Sequence, residues 1–152
     1  MNKLEMNNTI LNIEFEEGFS YFKVIEHYRH IGVNIASGTD RKSIDALQKE
    51  LDFVFPNDFQ GFHLMCNGFL DRDMDNHYFS IWPFDRLTEE YEQEKKKDYD
   101  FIPICDYLIN SHWYGYIRGR KGVFKDFNRK APIAKDFKEF LKLLLINSDN
   151  LY

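Results

Sequence analysis

The side chains with catalytic or metal-binding chemistry are few: two cysteines, Cys66 and Cys105, and five histidines. His63 and Cys66 are three residues apart, a spacing that would place both on one face of a helix and within reach of one metal ion. Two ligands do not complete a zinc site, and no further cysteine or histidine cluster lies near them in the sequence. Because both residues adjoin Phe59 and Phe62, we predict that they line the apolar face of a helix and bind no metal.

A nucleophilic cysteine would need a histidine base and an environment that lowers the pKa of the thiol. Cys66 ends an apolar helical pattern and Cys105 ends an apolar strand pattern, so neither position supplies such an environment. His27 and His30 have helical spacing, on what we expect to be a partly exposed face. We therefore predict two buried thiols, no catalytic residues, no cofactor and no enzymatic activity.

Three aspartates alternate in one acidic segment, Asp71, Asp73 and Asp75, as they do in the first half of an EF-hand calcium loop. Such a loop needs glycine at its sixth position and glutamate at its twelfth, where this sequence has Asn76 and Trp82. The calcium-binding hypothesis therefore fails. A solvated acidic loop that contacts a partner is the better interpretation.

Charge is distributed unevenly along the 152 residues, whose net charge is −5. Residues 1–100 contain 11 lysines and arginines against 20 aspartates and glutamates, whereas residues 101–152 contain 9 against 5. This acidity argues against nucleic-acid binding, which depends on many contacts between basic side chains and phosphates. An acidic surface instead attracts a basic protein partner and speeds its association.

The candidate partner-binding residues are acidic and aromatic. We expect the acidic ones at the surface, because an unpaired carboxylate is costly to bury. Trp113 and Tyr114 are adjacent on a predicted strand, so one should pack inward while the other is available as an anchor. The full set is Asp71, Asp73, Asp75, Glu89, Glu90, Glu92, Glu94, Trp113 and Tyr114.

The overall composition, with 43 % hydrophobic and 17 % aromatic residues, is typical of a globular protein with a substantial core. No apolar run is long enough to cross a membrane, and the first residues lack the apolar region of a secretory signal. Two cysteines cannot form a disulfide framework. We therefore expect one domain over residues 1–152, located in the cytoplasm and not bound to a membrane.

Hydrophobic periodicity predicts helices that alternate with strands and hairpins rather than regular βαβ units, which indicates the α+β class. The predicted strands are residues 9–15, 78–82, 102–108, 113–117 and 123–127, with Pro103 confining its strand to an edge or an end. The predicted helices are residues 21–31, 41–51, 57–66 and 136–146, with a solvated helix or ordered loop at 86–97. Arg118, Arg120 and Lys121 would form a small basic tip on the hairpin.

The order of these pieces resembles the SUKH superfamily of the Smi/Knr type over residues 40–146. The motifs that carry the resemblance are the helix Ser43–Leu51, the step Phe55-Pro-Asn-Asp-Phe59, Cys66-Asn-Gly68, the strand Gly122-Val-Phe124 and the closing helix Ile133–Leu141. Two departures stand out. Phe69 follows Asn-Gly where the family often has a second glycine, and Leu108–Trp113 replaces a glycine-rich stretch.

This resemblance implies an α+β fold with a mixed or antiparallel sheet packed by helices. It also implies that the chain resembles bacterial immunity proteins, which bind and block a cognate toxin, often a nuclease. In that interpretation the partner is a basic toxin protein that is met by the acidic loops. The alternatives are a regulatory scaffold of the same family without a toxin partner and, less favoured, a small hydrolase.

Overall fold

Four antiparallel strands form the sheet of this computed structural model, which describes residues 20–152. In chain order they are β1 (Phe79–Ile81), β2 (Phe101–Tyr107), β3 (His112–Ile117) and β4 (Phe124–Lys125), and they lie in the same order across the sheet. The predicted hairpin is confirmed, because Tyr114 on β3 pairs with Lys125 on β4. The predicted strand at residues 9–15 lies outside the described residues.

Strand β2 is an interior strand, so of the two positions predicted for Pro103 the edge is wrong, whereas Pro103 does lie near one end of the strand. It pairs with β1 on one side and with β3 on the other. The pairing with β1 begins only at Cys105, and the register with β3 shifts between Pro103 and Cys105. Proline is tolerated here because an irregularity in the ladder removes the need for a regular N–H at that position.

Five α-helices occur in the described residues. They are α1 (Tyr21–His30), α2 (Arg41–Leu51), α3 (Asn57–Met65), α4 (Phe84–Glu94) and α5 (Phe137–Ile146). Two of them begin at a capping aspartate: Asp40 accepts a hydrogen bond from the Ser43 amide at 2.8 Å, and Asp136 accepts one from the Glu139 amide at 2.8 Å. Helix α3 begins without a side-chain cap, since Asn57 is its first helical residue and Pro56 precedes it.

The core lies between the helices and one face of the sheet and consists largely of aromatic rings. Phe55 stacks on Phe59 with centroids 4.3 Å apart, and Phe59 meets Phe137 of α5 edge-on at 5.3 Å. The predicted apolar stripe of α5 is confirmed, because Phe137, Phe140, Leu141 and Leu144 are all buried. The α+β class with an antiparallel sheet is likewise confirmed.

Helix α4 differs from the sequence expectation of a solvated helix or ordered loop at residues 86–97. It is amphipathic, and Leu87 and Tyr91 are buried against the rest of the fold. Pro83 directly precedes the helix, which starts after the extended segment that follows β1. The helix thus has a packed face and is not solvated all round.

Gly68 has φ of +80°, as its place in Asn-Gly predicts, although it lies beyond the end of α3 rather than at its cap. A Cβ atom there would lie 2.5 Å from the backbone carbon of Trp82. Only glycine therefore allows this segment to run beside the end of β1. Within residues 20–152, no helix is long and apolar enough to cross a membrane.

Candidate functional site

His63 and Cys66 are buried within the core. The His63 ring lies between Phe59, 4.1 Å away, and Phe84, 5.0 Å away, and its two nitrogens face the carbonyls of Phe59 and Trp82. Burial lowers the pKa of His63 to about 4, so the ring is neutral at physiological pH. The structure thus places His63 in a packing role.

Both thiols are buried and resist ionisation. Burial raises the pKa of Cys66 to about 11 and raises the pKa of Cys105 well above its usual range. The Cys66 Sγ atom donates to the Gly68 carbonyl at 3.6 Å. Across residues 20–152, no group of three or more histidine, cysteine, aspartate or glutamate side chains is arranged to hold a metal ion.

His27 is buried, so the expectation of a partly exposed position is wrong for this residue. It occupies the inner face of α1 next to Tyr28, with ring centroids 5.8 Å apart. Burial lowers the pKa of His27. His27 is buried because Val24, Ile25 and Tyr28 make the apolar face of α1 wide enough to include position 27. From the sequence we expected a narrower apolar face.

Asp75 is buried, with only 6 % of the residue exposed, so the expected surface position is wrong here. Its Oδ1 atom accepts hydrogen bonds from the amides of His77, at 2.8 Å, and Phe79, at 3.0 Å. Burial raises the pKa of Asp75 even though these two hydrogen bonds oppose the change. Asp75 therefore shapes the turn into β1 and is not available to a partner.

Asp71 is exposed and Asp73 is half-buried, and both carboxylates hold Asn34. Asp73 Oδ2 accepts the Asn34 amide at 2.7 Å, and Asp71 Oδ2 accepts the Asn34 side-chain amide at 3.1 Å. These contacts tie the acidic loop to the connection between α1 and α2. Asp71 keeps its other oxygen toward solvent as part of an exposed residue.

The acidic loop and helix α4 are joined by one ion pair. Arg72 of the loop lies 3.4 Å from Glu90 Oε1 on α4. Glu90 is buried, so its predicted surface position is wrong. Glu94 lies one helical turn further along the same side of α4.

Two of the predicted acidic residues belong to other parts of α4. Glu89 lines an open groove of about 520 Å³ between α2 and α4, together with Glu50 and Asp85. Glu92 forms an exposed ion pair of 2.6 Å with Lys95. The structure therefore divides the acidic residues of α4 between two faces.

Trp113 and Tyr114 point to opposite faces, as predicted. Tyr114 is buried, and its hydroxyl donates to the Leu151 carbonyl at 2.5 Å, so it is not available as an anchor. Trp113 is half-buried and lines an open cavity of about 230 Å³ beside Glu94 and Asn110. The structure thus brings Trp113 and Glu94 together.

A buried polar network behind Trp113 was missed by the sequence reasoning. Asp106 of β2 accepts hydrogen bonds from Trp82 Nε1 at 2.7 Å and from the Asn110 amide at 2.6 Å, and it forms an ion pair with Arg86 of α4 at 3.1 Å. The Arg86 guanidinium lies over the Trp82 ring, 4.5 Å from its centroid. The available signal was a single aspartate within an otherwise apolar strand pattern.

The turn between β2 and β3 occupies the place of the glycine-rich stretch that the sequence lacks. Leu108, Ile109 and Asn110 have φ of 50°, 49° and 65°, so three consecutive residues other than glycine are left-handed. Leu108 and Ile109 are exposed. The turn adjoins the Trp113 cavity through Asn110 and Ser111.

The predicted basic tip of the β3–β4 hairpin is wrong for Arg118, which is half-buried. Arg118 donates to the carbonyls of Leu51, at 2.5 Å, and Asp52, at 2.6 Å, and so holds the end of α2. Arg120 and Lys121 are exposed at the tip, where Arg120 also donates to the Arg129 carbonyl at 2.6 Å.

A family model gives the comparison with known proteins. The model of the SMI1 / KNR4 family (SUKH-1) matches residues 38–143. The match includes α2, α3, α4, all four strands and most of α5, and it confirms the resemblance predicted for residues 40–146. No curated protein matches the chain.

Proposed function

Because the chain belongs to the SMI1/KNR4 family (SUKH-1), we propose that it is a non-enzymatic immunity protein that binds and neutralises a cognate bacterial toxin in the cytoplasm. The toxin is basic, and a nuclease suits this description because its substrate is a polyanion. The unpaired Cys66 and Cys105 agree with a reducing compartment. The chain itself makes no contact with nucleic acid in this proposal.

The observation that carries the proposal is the surface that runs from the acidic loop to Trp113. The Arg72–Glu90 ion pair connects the loop to α4, and Glu94 on the next turn shares a cavity with Trp113. Acidic groups beside a half-buried indole combine attraction for a basic partner with an aromatic anchor. Asp71, Asp73, Glu94 and Trp113 are therefore the proposed contact residues.

The state of the candidate catalytic groups supports a binding role. The thiols of Cys66 and Cys105 are buried and have raised pKa values, and His63 is enclosed by aromatic rings. A nucleophile needs access to substrate and a lowered pKa, and these thiols have neither. Asp106 and Arg86 form a buried ion pair with each other, so neither is available to a substrate.

The test is surface-binding kinetics against the toxin domain encoded by the gene immediately upstream of this chain's gene. The wild-type chain should bind it and abolish its toxicity on co-expression. The double variant Asp71→Lys, Glu94→Lys should lower the association rate at least tenfold, with less change in dissociation and a weaker dependence on salt.

A matched control is the double variant Asp45→Lys, Asp100→Lys, which makes the same change in charge at two exposed positions outside the proposed surface. Its association rate should stay within about threefold of the wild type, because long-range attraction is screened over about 8 Å at physiological salt. If the association rate falls equally in the two double variants, the effect comes from net charge and not from this surface. No binding by the wild type would overturn the proposed function.

A further inference from the structure

The turn between β2 and β3 is strained without a glycine to relieve it. In the left-handed region, the Cβ atom of an L residue comes too close to the following carbonyl oxygen, so the backbone is strained. Asparagine tolerates this region, but leucine and above all the β-branched isoleucine do not. Leu108 and Ile109 nevertheless have φ of 50° and 49°.

Hydrogen bonds on both sides hold the turn in this conformation. The Leu108 amide donates to the Tyr78 carbonyl at 3.0 Å, and the Asn110 amide donates to Asp106 Oδ2 at 2.6 Å. Asp106 is itself fixed by its buried ion pair with Arg86. The Asn110 side chain accepts from Arg86 at 3.2 Å, so the turn is anchored to α4 as well as to the sheet. Together these contacts hold the backbone of the turn in its strained conformation, which would not persist without them.

The strained turn presents apolar side chains to solvent. Ile109 is 72 % exposed and Leu108 is 42 % exposed, while Tyr78, whose carbonyl holds the turn, is 53 % exposed. The turn thus combines a strained backbone with apolar side chains that water disfavours. Such groups gain energy only when another surface covers them.

The surroundings of the turn indicate what covers it. Asn110 and Ser111 share the open cavity of Trp113 with the carboxylates of Glu94 and Asp126, of which Asp126 is already in an ion pair with Arg129. An apolar projection beside the Glu94 carboxylate is complementary to an apolar pocket with lysine or arginine on its rim. A membrane is a poorer match, because this border is acidic and the anionic headgroups of a bacterial inner leaflet would repel it.

We propose that Leu108 and Ile109, with Tyr78 beside them, are the apolar anchor that inserts into a pocket with a basic rim on the partner protein. The inference rests on the proposed function and deepens it, since it assigns affinity to the strained turn and association rate to the acidic surface. A preformed projection of this kind loses little conformational entropy on binding, so its contribution is to slow dissociation.

The strain is tested first, on the chain alone. Ile109→Gly removes the strained side chain, so its melting temperature should be equal to or above that of the wild type. Val54→Gly is the matched control, because Val54 is also β-branched, is 76 % exposed and is not left-handed. Its melting temperature should fall by a few degrees. A fall of the same size for Ile109→Gly would overturn the strain argument.

The anchor is tested by binding to the toxin domain encoded immediately upstream. Ile109→Asn removes the apolar side chain but suits the left-handed backbone, so the variant should fold and should dissociate at least tenfold faster. Val54→Asn should bind like the wild type. Wild-type binding with an unchanged Ile109→Asn variant would overturn the anchor and leave the proposed function intact.

Two further outcomes also decide the matter. Failure of the wild type to bind overturns the proposed function and the anchor together, since the anchor is defined on that partner. Gel filtration of both asparagine variants identifies self-association. If Ile109→Asn changes the oligomeric state of the chain and leaves toxin binding intact, the turn packs against a second copy and the proposal is wrong.

Discussion

The Arg86 guanidinium and the Asp106 carboxylate form a 3.1 Å ion pair that joins α4 to β2, with side chains that are only 6 % and 2 % exposed. Asp106 also holds the Trp82 indole and the Asn110 amide, so one carboxylate connects the helix, two strands and the β2–β3 turn. A charge buried to this degree depends on its partner, since neither can be solvated separately. The pair therefore supports the whole surface around Trp113.

Arg86→Met should lower the free energy of unfolding by about 3 kcal/mol, because it leaves Asp106 buried without its counter-charge. The control is Arg29→Met, which breaks the ion pair with Glu26, in which both side chains are exposed, and should cost less than about 1 kcal/mol. Urea denaturation followed by circular dichroism measures both. Equal, small losses would mean that water or another group compensates Asp106.

Phe140→Ala should cost about 3–5 kcal/mol, because the ring is fully buried and meets Tyr114 with centroids 5.8 Å apart. Phe127→Ala is the control, since that ring is about half exposed and should cost far less. Thermal unfolding of the two variants compares them directly. A Phe140→Ala variant as stable as Phe127→Ala would contradict the packing of α5.

Stability should fall as the pH is lowered from 6.5 to 4, because of His63. Burial lowers its pKa from 6.5 to about 4, so in this window the unfolded chain binds a proton that the folded chain does not. The loss should approach about 3 kcal/mol by pH 4 and should stop growing below it, since both states are then protonated. Urea denaturation at a series of pH values measures this slope.

His63→Phe should flatten the slope, because phenylalanine does not titrate. The remaining slope should combine His27, whose pKa burial lowers and which acts in the same direction, with Asp75, whose pKa burial raises and which acts in the opposite direction. An unchanged slope in His63→Phe would show that the ring is already protonated, or solvated, in the folded chain.

Asp75→Ala should cost about 1–3 kcal/mol, because it leaves the buried amides of His77 and Phe79 without their acceptor. Asp75→Asn should cost much less, since the amide oxygen still accepts and no buried charge is required. Asp71→Ala is the surface comparison and should cost less than about 1 kcal/mol. Equal effects of Asp75→Ala and Asp71→Ala on chemical denaturation would contradict the burial of Asp75.

The helices α2 and α5 could be predicted almost to the residue, because what defines them is local. A capping aspartate, such as Asp40 or Asp136, and an apolar stripe at three- and four-residue spacing lie within one short stretch of chain. The β3–β4 hairpin was predictable for the same reason, since its turn and both strands are adjacent. The family resemblance uses the same local motifs, which explains its agreement with residues 38–143.

Pro103 shows where local rules stop. A proline in a strand predicts an edge position, yet β2 lies inside the sheet because the register shifts at that point and β1 pairs only beyond it. Neither the register shift nor the length of β1 can be predicted from the residues around Pro103. Strand order depends on contacts between residues that are distant in sequence, and these exist only once the sheet is assembled.

The amino-acid sequence by itself determined the acidity of the first hundred residues, the absence of a complete motif for metal binding or nucleophilic catalysis, and the α+β pattern of elements. Only the tertiary structure decided which acidic groups face solvent: Asp71 is exposed and Glu94 half-buried, whereas Asp75 and Asp106 are buried. The physical reason is that a carboxylate can be buried wherever the fold supplies donors or a counter-charge. Asp106 finds Arg86 twenty residues away along the chain, and only folding brings the two charges within 3.1 Å.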